Sequence, residues 1–216
     1  MPVSDATPLR ADAQRNLERI LEAARLSFAE YGLDVGVEAI ARRAGVGKAT
    51  FFRRFPTKDA LVQAVMEGFI ADLEALAAQT AAMDDPWDGL RCFIVEHARM
   101  QADNAGFFDA IAARFSEGQM FPEELFDRST AAVQTALSPA YDAGLIREGV
   151  RPGDLTAILK MLGPVIRPMP GVRLEESVWT RYVELLLSGI RAGQDALPGV
   201  ALDVCAVARQ AGRISA

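Results

Sequence analysis

A short basic and aromatic stretch contains the residues of this sequence with the most definite chemistry. Residues 39 to 61 read AIARRAGVGKATFFRRFPTKDAL, in which Lys48, Arg53, Arg54 and Lys58 accompany Phe52. Ammonium and guanidinium groups bind phosphate oxygens through charge-assisted hydrogen bonds. Residues 1 to 60 hold 10 Lys/Arg against 8 Asp/Glu, whereas the rest of the chain holds 13 against 21, within a net charge of −6. A mildly basic segment on an acidic chain predicts local binding of a polyanion.

Patterns of catalytic and metal-binding residues are not found in the sequence. It has no G-x-S-x-G motif, phosphate loop or metal-ligand spacing, and its one histidine, His97, directly follows Glu96. Cys92 and Cys205 are far apart, which predicts free thiols in a reducing cytoplasm. No apolar run reaches the roughly 18 residues of a membrane span, and the first residues lack the apolar region of a secretory signal. We therefore expect a cytoplasmic protein that is not an enzyme, with no metal, cofactor or membrane partner.

The elements that would position the basic residues are helices, and the whole chain is predicted to be all-α. Apolar residues recur at helical spacing in almost every segment. A short helix is predicted from Val37 to Ala44, with a tight turn at Gly45. A second begins at Gly47 or Lys48 and ends by Phe55, before Pro56. Two short helices at a tight turn can place the second one in the DNA major groove.

This region resembles the DNA-binding domain of the tetracycline-repressor (TetR) family of transcriptional regulators. The family pattern is I-A-x-x-A-G-V, a short recognition helix with an aromatic-rich end, and F-x-(S/T)-K-x-x-L. This sequence has IARRAGVGKATFFRRFPTKDAL at the same spacing, after a matching first helix ILEAARLSFAEYG. The resemblance covers residues 13–73, with the helix-turn-helix at about 36–55. It implies an N-terminal three-helix domain, joined by a long helix to a larger helical domain that binds a ligand and dimerises.

The resemblance also implies a homodimer that binds a palindromic DNA operator and a small-molecule effector, usually as a repressor. Gly36 and Gly47 stand where the family often has a serine or threonine that caps a helix. Phe52 stands where a tyrosine is common, so its expected role is packing or contact with a thymine methyl group. The implied DNA-binding residues are Arg43, Gly47, Lys48, Ala49, Thr50, Phe52, Arg53, Arg54 and Lys58.

Residues 80–193 are predicted to form the effector-binding and dimerisation domain, followed by a tail at 194–216. A stripe on the last long helix could contact a partner helix in a four-helix interface, or it could be buried within one subunit. The predicted dimer residues are Leu155, Leu159, Trp179, Tyr182, Val183, Leu186 and Ile190.

Aromatic residues and methionines are dense in the middle of the chain and suit a cavity for an apolar or aromatic effector. They could equally fill an ordinary core, and His97 could be a structural histidine. The predicted effector residues are Phe93, His97, Met100, Phe107, Phe108, Ile111, Phe115, Phe126 and Met161. The alternatives to a ligand-responsive regulator are a helical carrier of small molecules and an α-helical enzyme.

Overall fold

The computed structural model describes residues 6–116, 121–166 and 175–193, and isolated positions at Asp195, Leu197, Gly199, Asp203 and Ala206. The predicted all-α fold is confirmed, since these residues form helices and no strand beyond a single bridge between Ile146 and Arg191. None of the helices described is long and apolar enough to cross a membrane. Cys92 is a free thiol, whereas Cys205 and most of the predicted tail lie outside the described residues.

The chain forms the following helices in sequence order. They are α1 (Ala6–Tyr31), α2 (Val37–Arg43), α3 (Lys48–Arg54), α4 (Lys58–Ala81), α5 (Pro86–Asp103), α6 (Ala105–Ser116), α7 (Glu123–Asp142), α8 (Pro152–Ile166) and α9 (Glu176–Ile190), with a 3-10 turn at Gly32–Asp34 after α1.

The chain divides into two compact units. The first unit contains the chain up to Gly68 and the segment Asn104–Ala112, and the second contains Phe69–Asp103 and the described residues from Ala113 onward. Residues 104–112 therefore belong to the unit that carries α2 and α3, although the sequence placed them in the C-terminal domain.

The first unit has a core built around α1. Ile20, Ala24 and Phe28 of α1 are buried, and the Phe28 ring stacks on Phe107 of α6 at 5.9 Å between centroids. A Cβ atom on Gly106 would lie 2.6 Å from the carbonyl oxygen of Ala29 and 2.7 Å from that of Phe28. Only glycine allows the backbone of α6 to approach α1 so closely.

The second unit buries one apolar core among α5, α7, α8 and α9, together with the last turns of α4. Leu90, Phe93 and Ile94 of α5 are fully or almost fully buried there. Asp85 caps α5, since its Oδ1 accepts the N–H groups of Trp87 and Asp88 at 2.8 and 3.0 Å. This start of α5 sets the direction in which its core residues and His97 project.

Candidate nucleic-acid interface

The predicted turn between α2 and α3 is present and is held by backbone hydrogen bonds. Gly45 has a φ of 65°, a conformation in which glycine has no steric penalty. The Val46 N–H donates to the Ala41 carbonyl at 3.0 Å, and the Gly45 N–H to that of Arg42 at 3.1 Å. Ala41 is buried, so the close packing at this corner requires a small side chain.

Helix α3 is anchored through its aromatic residues. Phe51 is buried and packs against Phe55 at 6.1 Å and edge-on against Phe52 at 5.7 Å between centroids. Ile40 of α2 is also fully buried. With these residues inside, the opposite side of α3 faces solvent, where Lys48, Ala49, Arg53 and Arg54 are exposed and Thr50 and Phe52 are half-buried. The structure thus brings six of the predicted DNA-binding residues onto one short helix.

Two of these exposed side chains form no ion pair with another described residue. In the part of the chain that the structure describes, no carboxylate lies within salt-bridge distance of Arg53 or Arg54. Both sit in the last turn of α3. Their guanidinium groups are therefore available to an external anion such as a phosphate.

Lys48, in contrast, already has two neighbours. Its Nζ donates to Glu38 Oε1 at 2.9 Å and lies 5.8 Å from the centroid of the Phe52 ring. The hydrogen bond to Lys48 lowers the pKa of the Glu38 carboxyl. Both side chains are more than half exposed, and such surface pairs are weak enough to open when a phosphate competes.

Arg43 and Lys58 are also bound within the protein. The Arg43 guanidinium makes two hydrogen bonds to the carboxylate of Glu30 on α1, at 2.7 and 2.9 Å. The ammonium group of Lys58 donates to the carbonyl oxygen of Leu33 in the 3-10 turn. These contacts fasten α2 and the start of α4 to the end of α1. Sequence analysis did not identify Glu30, Glu38 or Leu33, because their partners are 10 to 25 positions away.

The predicted glycine caps lie at the starts of the two short helices. Gly36 and Gly47 have extended backbone angles, with ψ of 145° and 148°, and neither provides a side chain to cap its helix. A Cβ atom on Gly47 would meet nothing within 4 Å. The first backbone N–H groups of α3 have no acceptor within their own helix, and the space beside Gly47 is open.

The predicted dimer residues fall mostly inside the second unit. Leu155, Leu159, Trp179, Val183 and Ile190 are buried in the core of the same chain, which is the alternative that the sequence left open. Leu186 is packed partly against that core, and Tyr182 is exposed. Tyr182 shares the outward side of the unit with three apolar residues that were not predicted for the interface, since Met161 is 57%, Val178 41%, Tyr182 42% and Leu185 59% exposed.

The predicted effector residues are divided between the two units. Phe107, Phe108 and Ile111 belong to the first unit, where Phe107 packs on Phe28. The others belong to the second unit, where Phe93 and His97 are edge-on at 6.0 Å and Phe115 and Phe126 are 5.9 Å apart. Met161 is exposed on α8. Met100 is half-buried on α5, on the same side as His97.

Comparison with known proteins agrees with this architecture. The family model described as "Bacterial regulatory proteins, tetR family" matches residues 20–65. A TetR transcription regulatory protein from Mycobacterium vanbaalenii is 32% identical, with a TM-score of 0.64 over 86% of this chain and 100% of its own. A TetR transcriptional regulator from Streptomyces coelicolor is 29% identical, with a TM-score of 0.64 over 82% and 99% of the two chains.

An HTH-type transcriptional regulator from Mycobacterium tuberculosis is 30% identical over 125 residues, which cover 47% of this chain. The chain spans 65% of the length of that curated relative. Together, the helix-turn-helix geometry and these similarities show that this chain belongs to the TetR family of bacterial transcriptional regulators. They do not favour the carrier or the enzyme that the sequence left open.

Proposed function

We propose that this protein is a DNA-binding repressor that responds to a small molecule and has no enzymatic activity. The observation that carries the proposal is the solvent-facing side of α3, where Arg53 and Arg54 are exposed and form no ion pair with any described residue. A helix of this size, held rigidly at a helix-turn-helix corner, fits the major groove and places its side chains at base edges and phosphates.

Charge supports DNA as the partner more than an acidic protein. In α3 all three charged residues are basic, and among the residues that the structure describes only Glu38 pairs its carboxylate with one of them. Binding to DNA would break the pair between Glu38 and Lys48 and release Lys48 to a phosphate. The Phe52 ring would then support the lysine from one side through a cation–π contact.

The proposed functional form is a homodimer joined through the second unit. The outward apolar side chains Val178, Tyr182 and Leu185 follow a helical spacing of four and three residues on α9, so that they form one stripe. Met161 adds an exposed apolar side chain on α8. A second copy of this chain would bury the stripe against its own, as a two-fold interface requires.

The experiment that tests the proposal is fluorescence anisotropy with labelled DNA taken from around the gene, with unlabelled competitor DNA, between about 50 and 200 mM salt. We expect sequence-selective binding. Arg53 and Arg54 of two copies would bind four phosphates, and Lys48 of both copies would raise the number to six. The slope of log K against log salt concentration should then lie between about −3.5 for four phosphates and −5.5 for six.

The double variant Arg53→Ala/Arg54→Ala should weaken binding by about 100-fold or more and reduce the slope by about 3.6 units, the share of four phosphates. Arg151→Ala is the control, since Arg151 is an exposed arginine of the second unit whose guanidinium donates to the Tyr141 hydroxyl and the Val150 carbonyl. Unchanged affinity in the double variant would exclude α3 as the DNA-binding helix.

A further inference from the structure

Ala49 lies near the middle of the solvent-facing side of α3. Successive residues of an α-helix are rotated by about 100° around its axis. Because Phe51 is buried and points inward, Ala49, two positions earlier, lies within about 20° of the opposite direction. The residue is exposed. Whatever α3 contacts therefore comes to lie against the methyl group of Ala49.

Phe52 extends this apolar surface. It follows Ala49 by three positions, and residues at this spacing are neighbours on a helix. Its half-buried ring is held edge-on against Phe51 at 5.7 Å between centroids, and the Nζ atom of Lys48 lies 5.8 Å from its centroid. Neither Ala49 nor Phe52 has a side-chain hydrogen-bond donor or acceptor. These two residues form an apolar strip on a helix whose charged residues are all basic.

The basic residues beside this apolar strip reach further than the strip does. Lys48, Arg53 and Arg54 have long side chains that can bind phosphates at the edges of a DNA groove. The short side chain of Ala49, in contrast, contacts only a group that lies directly opposite the helix. The apolar strip is therefore in a position to read bases, whereas phosphate contacts carry no sequence information.

One base edge in the major groove matches an apolar strip. Guanine, adenine and cytosine present hydrogen-bond donors and acceptors there, whereas thymine presents a C5-methyl group beside its O4 acceptor. A donor or acceptor that is covered by the strip would lose its water without gaining a partner, which is unfavourable. A methyl group that is covered by the strip would instead stabilise the complex through the burial of apolar surface.

We propose that each half-site of the operator presents the C5-methyl group of a thymine to Ala49 and Phe52, and that this contact is a determinant of sequence selectivity. The inference rests on the proposed function, since it names the base chemistry that α3 reads. It assigns Ala49 to selectivity and leaves the salt-dependent part of the affinity to the basic residues.

The first test changes only the methyl groups of the DNA. The fragment from around the gene is prepared with thymine or with uracil at every thymine position, because uracil lacks the methyl group but keeps the O4 acceptor and the base pairing. Loss of one buried methyl group should weaken binding about fourfold, and loss of one in each half-site about 15-fold in total. The slope of log K against log salt concentration should be the same for both DNAs, since the phosphate contacts are unchanged.

The protein variant for this test is Ala49→Ser, which places a hydroxyl group against the thymine methyl group and changes the size of the side chain little. We expect the preference for thymine DNA to fall from about 15-fold to about fourfold or less. Ala131→Ser makes the same change at an exposed position of α7 in the second unit, with the same small loss of helix propensity. This control should keep the full preference.

Two results would overturn the inference. One is equal binding of thymine and uracil DNA by the wild type. The other is a preference for thymine DNA that is as large in Ala49→Ser as in the wild type, since the methyl groups would then act through other residues or through the shape of the DNA.

Selection from a pool of random duplexes separates this inference from the proposed function and also provides a site where the fragment contains none. The wild type should enrich a thymine at a fixed position of each half-site, and Ala49→Ser should not enrich it. Selective binding without a preference for thymine over uracil would keep the DNA-binding regulator and remove the thymine contact. A wild-type protein that selects no sequence at all would refute both.

Discussion

Helices α3 and α9 have the same inner chemistry and opposite outer chemistry. Each buries aromatic or aliphatic side chains, such as Phe51 in α3 and Trp179 and Val183 in α9. The outer side of α3 carries Lys48, Arg53 and Arg54, whereas that of α9 carries Val178, Tyr182 and Leu185. A charged face is stable in water and attracts a polyanion, but an apolar face is stabilised by being covered. The outer face of a helix therefore indicates its partner, and the inner face only its packing.

The largest effects are expected when an aspartate is placed on the inner or on the outer face of α9, and the two faces should respond differently. Val183→Asp should unfold the second unit, because it places an unpaired charge in the core at a cost of roughly 4 kcal/mol or more. Leu185→Asp should leave the fold intact and weaken self-association by about 100-fold, or about 2.7 kcal/mol. Urea unfolding and sedimentation equilibrium measure the two outcomes.

The control for this pair is Leu26→Asp, the same change at an exposed leucine of α1. It should alter neither stability nor self-association beyond the error of measurement. A dimer that survives Leu185→Asp unchanged would mean that the exposed stripe of α9 is not the interface.

The next largest effect is expected at His97, a polar residue in the mostly apolar interior of the second unit. Burial lowers the pKa of His97 to about 4 in the folded protein, from 6.5 in the unfolded chain. Between pH 4 and pH 6.5, the unfolded chain therefore binds a proton at this residue that the folded protein does not bind. The contribution of His97 to the free energy of unfolding should therefore be fully present above about pH 6.5. It should decrease as the pH falls, so that the protein loses about 3 kcal/mol by about pH 4. His97→Phe should lack this component.

Urea unfolding of both proteins at several pH values between 7 and 4 gives the difference directly. The carboxylates whose pKa is lowered by ion pairs, such as Glu30 and Glu176, are present in both proteins and cancel. Parallel pH profiles would show that His97 is hydrated in the folded state.

A smaller effect is expected at the charged face of α3. Glu38→Gln removes the carboxylate that pairs with Lys48 and should tighten DNA binding by up to about fivefold, since exposed ion pairs contribute about 0.2 to 1 kcal/mol. Glu148→Gln makes the same change of net charge at an exposed position of the second unit and should have no effect. Weaker binding by Glu38→Gln would show that Glu38 itself contacts the DNA.

The smallest effect is expected at the start of α3. Gly47→Ser should stabilise the protein by only a few tenths of a kcal/mol, because glycine caps nearly as well as serine. The added hydroxyl lies in open space and should reach a phosphate, which we expect to tighten DNA binding by about two- to threefold. Thermal unfolding and anisotropy measure these changes. A lower melting temperature would show that the cap is strained by a side chain.

The helix-turn-helix could be predicted from sequence because its determinants are local. Its determinants are Gly45, the buried Ile40 and Phe51, and Thr57, whose Oγ1 accepts the Ala60 N–H and caps α4. Each of them lies within about one helical turn of the structure that it specifies. In α9, by contrast, apolar residues occupy two faces of one helix. Periodicity predicts the helix correctly but does not say which of two apolar faces packs inward.

The sequence by itself determined the all-α fold, the helix-turn-helix and the basic character of α3, since each depends on residues close together in the chain. Only the tertiary structure decided that Lys48 pairs with Glu38, that Lys58 binds the Leu33 carbonyl and that His97 Nδ1 has no hydrogen-bond partner within the described parts of the chain. It also assigned residues 104–112 to the first unit and Val183 to the core. These features depend on which segments meet in space, and the packing of distant residues decides that.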